Sequence, residues 1–369
     1  MARRANVVAL LVVAGILASL TASMPAGAAT PKLGKGDWPT ICNSTSRTIG
    51  TPYKAGLNCR RGTIGGIERR YVVWVPTAVA ATTAKVPAVF MFHGSSGTGE
   101  QYWQISGWRE VADREGLIAV FPTGANYRIL ETGNLSTKWH AYSLACDVDT
   151  SVTPLRDDIA FTDRVLNDVI ASEQIDQNRV YASGFSNGSS FAQRLAVDRG
   201  NRFAAVASWA GALSECLTAS PPEPLPNPSA NPAPAWFGVG SEDPLYLGNQ
   251  GVTDLPMDPN TLNVAMSGLI VRTARSQGLD RAVWVTRNFA SWNGWTPQAT
   301  TWPTAEWTVM QWPLLGTGTE PTDFFFSVLR GVAHHYPNAK VGAGASNASS
   351  SYVNIAEVFW LWFEKHARD

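Results

Sequence analysis

Gly184-Phe185-Ser186-Asn187-Gly188 carries more chemistry than any other stretch of this chain. A serine hydroxyl is a poor nucleophile unless it stands clear of the surrounding chain and a base can take its proton. The pentad meets the first condition. It follows a β-branched and aromatic run, Val180-Tyr181-Ala182-Ser183, and opens into Ser190-Phe191-Ala192-Gln193-Arg194-Leu195-Ala196, which reads as strand, sharp turn and helix. Glycines belong there because bulky neighbours would clash with the adjoining strand and helix. Ser186 is the candidate nucleophile, and the Asn187 N–H points at the oxyanion that attack would create.

The base must in turn be oriented by an acid. Behind such an elbow the chain order is Ser, then Asp or Glu, then His. The run Ala235-Trp236-Phe237-Gly238-Val239-Gly240-Ser241-Glu242-Asp243-Pro244 ends a strand in a turn. Asp243 is the candidate acid, with Glu242 its nearest competitor. Only five histidines exist. His366 lies in the last helix, His140 precedes the acid, and His93 follows a strand in a loop of its own. The base is therefore sought in Gly331-Val332-Ala333-His334-His335-Tyr336-Pro337, where His334 is favoured over His335.

The third piece is Val89-Phe90-Met91-Phe92-His93-Gly94-Ser95-Ser96-Gly97. A hydrophobic strand running into small residues gives a loop whose backbone can approach a substrate carbonyl. The Ser95 N–H would complete an oxyanion hole with that of Asn187. His93 reads as a structural residue that holds this loop, and Asp157 and Asp158 as a helix cap and first-turn residue.

The elements that must position these groups are strands at Arg69 to Val75, Pro87 to Phe92, Leu117 to Phe121, Val180 to Ser183, Phe203 to Ala210 and Ala235 to Val239. Helical spacing fills Asp158 to Ala171, the elbow helix to about Val197, and an aromatic helix from Val353 to His366. Strands alternating with helices imply an α/β fold, a mostly parallel sheet covered on both faces, with antiparallel hairpins at the opening edge. Residues 29–65 read as a loop-rich extension of a single domain, 29–369. The Pro-rich stretch from Ser220 to Pro234 falls between two expected core strands and reads as a surface loop. Trp284, Trp292, Trp295, Trp302, Trp307 and Trp312 crowd one segment. They either form a secondary cluster or an aromatic floor beside the site; Trp292, Trp295, Trp302 and Trp307, with Tyr336, are the candidate substrate contacts.

Arg3-Arg4, an apolar run from Val7 to Leu20 and Ala26-Gly27-Ala28 form a secretory leader, residues 1–28, cleaved after Ala28 or Ala29. Its apolar run is short for a membrane span, and none beyond it reaches about 18 residues. Losing Arg3 and Arg4 takes the formal charge from +0 to −2. With 16% charged residues, that leaves no electrostatic footprint for nucleic acid or anionic lipid. Cys42, Cys59, Cys146 and Cys216 lack metal-ligand spacing, and export favours disulfides. Of three possible pairings, Cys42–Cys59 with Cys146–Cys216 is expected because each stays within one region of the chain. No metal or cofactor is implied.

Taken together, Gly66-Ile67-Glu68-Arg69-Arg70-Tyr71 through Pro76, the His-Gly loop, Phe121-Pro122-Thr123-Gly124, Arg156-Asp157-Asp158 and Asp176 through Gly188 resemble the secreted poly(3-hydroxybutyrate) depolymerase and feruloyl esterase family. The resemblance covers roughly 60–240 and 325–366. It implies an α/β-hydrolase fold and ester hydrolysis, with Ser186 as nucleophile, Asp243 as acid and His334 as base. A polyester of short hydroxyacids is the leading substrate. Feruloyl or acetyl esters of plant polysaccharide, or acyl transfer by the same triad, are the alternatives. A secreted monomer is expected. The chain departs from the family pattern at Ala333, where Gly commonly precedes the histidine, and at Tyr336, where Trp is expected.

Overall fold

The computed structural model describes Cys42, 46–172, 174–225, 232–248, 307–313, 323–329, 331–338 and 354–368, all within the unit Trp38–Asp369. Residues 1–28, read from the sequence as a leader, and residues 249–306, with Trp284, Trp292, Trp295 and Trp302, lie outside the described residues. The strands are β1 (Arg47–Thr48), β2 (Gly56–Ile64), β3 (Ile67–Val75), β4 (Val86–Phe92), β5 (Ile118–Pro122), β6 (Ala125–Arg128), β7 (Leu135–Lys138), β8 (Ile175–Phe185), β9 (Ala205–Trp209), β10 (Ala235–Gly240), β11 (Trp307–Pro313) and β12 (Asp323–Leu329). The helices are α1 (Thr77–Ala80), α2 (Gly99–Ile105), α3 (Trp108–Glu115), α4 (Asp158–Ser172), α5 (Asn187–Asp198) and α6 (Ile355–Phe363).

Ten strands share one sheet in the order β1-β2-β3-β5-β4-β8-β9-β10-β12-β11, and β6 and β7 form a separate hairpin. From β5 across to β12 every neighbour is parallel. β4 explains why: all seven residues of Val-Pro-Ala-Val-Phe-Met-Phe are buried, as a strand covered on both faces requires. Its residues alternate between two cores. Ala88, Phe90 and Phe92 pack with Phe161 and Val165 of α4 and Phe191 and Leu195 of α5. Val89 and Met91 pack with Tyr102 of α2, Val111 of α3 and Phe359 and Phe363 of α6. Each buried Val, Leu, Met or Phe side chain among these contributes about 1.5–3 kcal/mol. This is the α/β-hydrolase fold.

The sheet's opening corrects one expectation. Residues 56–64 are not loop but a nine-residue strand, paired antiparallel with β3 from Gly56↔Val75 to Ile64↔Ile67. The turn between them is Gly65-Gly66, both at positive φ (61° and 78°), as a two-residue hairpin of this twist demands. Both expected disulfides are present, Cys42–Cys59 onto β2 and Cys146–Cys216 between two loops.

Parallel strands end at the same edge of a sheet, and ligands bind outside their carboxyl ends in such folds. β4 runs into His93-Gly94-Ser95, β8 into Ser186, β10 into Asp243 and β12 toward His334. Four segments far apart in sequence thus converge on one edge.

Candidate active site

Ser186 caps the N-terminus of α5 at φ 51°, ψ −122°, a region that bulky L-residues rarely enter. The fold compels this conformation. The Ser186 N–H donates to the Trp209 carbonyl (2.9 Å), while the Ser189 and Ser190 N–H groups both return to the Ser186 carbonyl. The pentad's glycines are dictated by contact. A Cβ at Gly184 would overlap the Gly188 carbonyl, and one at Gly188 would overlap the Phe92 and His93 carbonyls. A third glycine, Gly211, lies against the carbonyl of Ser186 itself.

The hydroxyl so presented meets the expected base. His334 Nε2 is 2.9 Å from Ser186 Oγ, and His334 Nδ1 is 2.8 Å from Asp243 Oδ2. Asp243 is fully buried, and its other carboxylate oxygen accepts the Leu245 N–H at 2.9 Å. Glu242 beside it is exposed, so the acid facing the base is Asp243. The imidazole rests on the Phe185 ring, centroids 5.2 Å apart. The nitrogen beside the serine is therefore that of His334. At His335, burial and the neighbouring His334 charge lower the pKa, partly offset by Asp243.

Two loops hold the acid and base together. The Ser241 N–H donates to the Leu329 carbonyl (2.9 Å) and the Glu242 N–H to the Val332 carbonyl (3.0 Å). In return the Gly331 N–H donates to Ser241 Oγ at 2.9 Å.

The His-Gly loop lies against the elbow. A Cβ on Gly94 would sit 2.8 Å from Phe185 Cδ1 and 3.3 Å from Ser186 Cβ. Asn187 opens α5, where backbone N–H groups have no intrahelical acceptor. Ser95 is exposed one residue beyond Gly94, and among the described residues neither N–H is used within the protein. His93 is buried and bridges the loop to its neighbour: Nδ1 is 2.7 Å from the Gly94 carbonyl, and Nε2 accepts the Gly124 N–H at 2.9 Å. Those partners fix a neutral ring, protonated on Nδ1. Burial, the largest influence, pushes its pKa down to about 4.

Two other expectations are refined. Asp157 Oδ1 accepts the Ala160 N–H and caps α4, but Asp158 does more, forming a buried 2.6 Å ion pair with Arg69. Tyr336, expected to touch substrate, is instead buried against Tyr102 and Phe185 with its hydroxyl toward Met91 Sδ, and so underlies the base loop. Trp307 opens β11 opposite Leu329; nothing beyond its backbone is described. Sequence reasoning misses Thr137, which touches the His-Gly loop, and Trp139, which touches both that loop and Asn187. An isolated Trp after a short polar strand has no period to betray it.

Residues 69–219 match the family model described as Esterase PHB depolymerase. NocK of Nocardia uniformis subsp. tsuyamanensis is 28% identical over 192 residues, 52% of this chain and 50% of that protein. Acetylxylan esterase A of Aspergillus oryzae is 24% identical over 155 residues, 41% of this chain and 45% of that protein. The chain thus spans about half the length of these relatives. Among solved structures, LpqC, a poly(3-hydroxybutyrate) depolymerase from Bordetella parapertussis, aligns with a TM-score of 0.46 at 18% identity, covering 86% of this chain and 93% of that one.

Proposed function

Because residues 69–219 belong to the esterase PHB depolymerase family, we propose that this chain is an exported serine esterase working through an acyl-enzyme. The observation that carries the reading is the unbroken line Ser186 Oγ–His334 Nε2 (2.9 Å) and His334 Nδ1–Asp243 Oδ2 (2.8 Å) behind a strained elbow.

In this reading Ser186 Oγ attacks the ester carbonyl carbon while its proton passes to His334 Nε2. The Ser95 and Asn187 N–H groups hold the oxyanion. Collapse of the tetrahedral intermediate breaks the bond to the alkoxy oxygen, which takes the proton from His334 and leaves as alcohol. His334 then takes a proton from water, the hydroxide attacks the acyl-enzyme, and the acid departs as Ser186 recovers its proton. Asp243 keeps Nδ1 protonated and stabilises the imidazolium without itself becoming protonated.

The proposed substrate is a polyester of short hydroxyacids, in keeping with the family. An acetyl or feruloyl ester on plant polysaccharide is the second reading, favoured by the likeness to acetylxylan esterase A. Export accords with the leader-like N-terminus and two disulfides. A substrate panel tests both readings: p-nitrophenyl acetate, methyl ferulate, acetylated xylan and a polyhydroxybutyrate film. Clearing of the film by wild type but not by Ser186→Ala is expected. Turnover of acetylated xylan without the film reverses the ranking, and Ser186→Ala within about tenfold of wild type on every substrate removes the mechanism.

A further inference from the structure

The two backbone donors proposed for the oxyanion sit on separate elements, Ser95 on a loop after β4 and Asn187 on the first turn of α5. For catalysis both must lie about 2.7–3.1 Å from the position the oxyanion will occupy. Something has to fix the distance between them. We propose that Thr137 and Trp139, at the end of β7, are positioning residues that brace this pair, an inference that rests on the assignment of Ser95 and Asn187 above.

The brace grips the loop at three points. The Ser96 N–H donates to the Thr137 carbonyl (2.9 Å), Thr137 Oγ1 donates to the Gly97 carbonyl (2.6 Å), and the Trp139 indole N–H donates to the His93 carbonyl (3.0 Å). The first two straddle a strained position, since Ser96 has φ 63°. On the other side, the Asn187 side chain pairs with both backbone groups of Trp139. Its Oδ1 accepts the Trp139 N–H at 2.6 Å, and its Nδ2 donates to the Trp139 carbonyl at 3.1 Å. Asn187 thus has two tasks. Its main-chain N–H faces the oxyanion, and its amide fastens that same residue to the brace.

The indole is itself immobile. It is fully buried, stacked on Phe191 (5.3 Å, 16°) and edge-on to Phe92 (5.1 Å, 87°). Its N–H is therefore aimed by packing and loses little freedom on bonding. Trp139 reaches the reacting atoms only through His93, Asn187 and the loop, so its effect is on where the donors stand.

Trp139→Phe keeps a ring in the stack and removes the N–H; Thr137→Val keeps the shape and removes the hydroxyl donor. With p-nitrophenyl acetate, Trp139→Phe is expected to lower kcat by about 10- to 100-fold and Thr137→Val by several-fold, with KM within about twofold. Phenylboronic acid, which places a hydroxyl at the oxyanion position when it bonds Ser186 Oγ, should lose affinity by a similar factor in each. The pH midpoint of kcat should stay put, since His334 is untouched. If Trp139→Phe does not fold, Thr137→Val carries the test alone. A lowered Tm with wild-type kcat and boronate affinity means ordinary packing and overturns the brace. Ser186→Ala separates the two levels of the argument: if it stays active the donor assignment itself falls, whereas a dead Ser186→Ala beside unaffected brace variants removes the brace only.

Discussion

On the side of the proposed nucleophile, from β4 to β9, Ser186 itself is placed by main chain pressed on main chain. Gly184, Gly188 and Gly211 each meet a carbonyl where a Cβ would be, and Ser186 is held at positive φ by its own neighbours. On the side of the proposed acid and base, from β10 to β12, the same task falls to hydrogen bonds that join Ser241 and Glu242 of one loop to Leu329 at the end of β12 and to Gly331 and Val332 of the loop beyond it. Among the described residues Gly240 and Gly248, whose Cβ atoms would overlap the Val332 and Glu242 carbonyls, repeat the first device. The contrast teaches that a strained nucleophile needs a rigid backbone mould. A base that accepts and returns a proton needs a correct tautomer and a reachable partner, which side chains can supply.

The largest effects should come from the acid–base side if its chemistry is as proposed. His334→Ala should lower kcat by about 10^5- to 10^6-fold, whereas His335→Ala should cost far less. Equal losses would mean that the two loops do not deliver a single base. Asp243→Asn should come next, at about 10^4-fold, because an amide leaves the imidazole in the wrong tautomer without altering shape. Both variants should keep a Tm close to that of Ser186→Ala, so that the lost activity reports chemistry and not unfolding.

That contrast also decides what is legible in the sequence. Mould positions are written as residue types: Gly-x-Ser-x-Gly, the run of β4 and the His-Gly loop announce themselves because close approach admits only glycine and double burial only apolar side chains. The Asp243 and His334 positions are legible through chain order, with five histidines making elimination effective. Bonds between distant loops leave no such mark. Thr137, Trp139 and Ser241 act through partners that sequence does not place beside them. β2 reads as loop because Arg60 and Arg61 interrupt its alternation, although Arg60 is buried with its guanidinium over Tyr53. Tyr336 has the sequence position of a substrate contact, just after the histidines, and is a support for them.

On the nucleophile side the mould has a titratable strut, which gives a third prediction. His93 is neutral when folded, with its pKa down from 6.5 to about 4. In the unfolded chain it takes up a proton near 6.5, so between 6.5 and about 4 the unfolded state binds more protons. Its contribution to stability is therefore complete above that window and is lost as pH falls through it, by about 3 kcal/mol at most. Urea melts of wild type and His93→Gln across the window check this. The variant should be less stable at pH 7 and show a shallower loss on acidification, and parallel curves would mean that other groups carry the acid sensitivity.

The smallest effect is the most discriminating. Ser241→Ala removes the acceptor for the Gly331 N–H, one of the bonds joining the acid loop to the base loop. A hydrogen bond of this kind contributes about 1 kcal/mol, so the loss of stability should be slight. Its position makes it informative: Ser241 is two residues before Asp243, and Gly331 is three before His334. If loop-to-loop bonding sets the acid–base geometry, kcat should fall several-fold while KM and the boronate affinity, which report the mould, stay near wild type. The matching change on the other side, Thr137→Val, should move kcat and boronate affinity together. Should Ser241→Ala weaken boronate binding as much as Thr137→Val does, the two sides share one support and the division between them disappears.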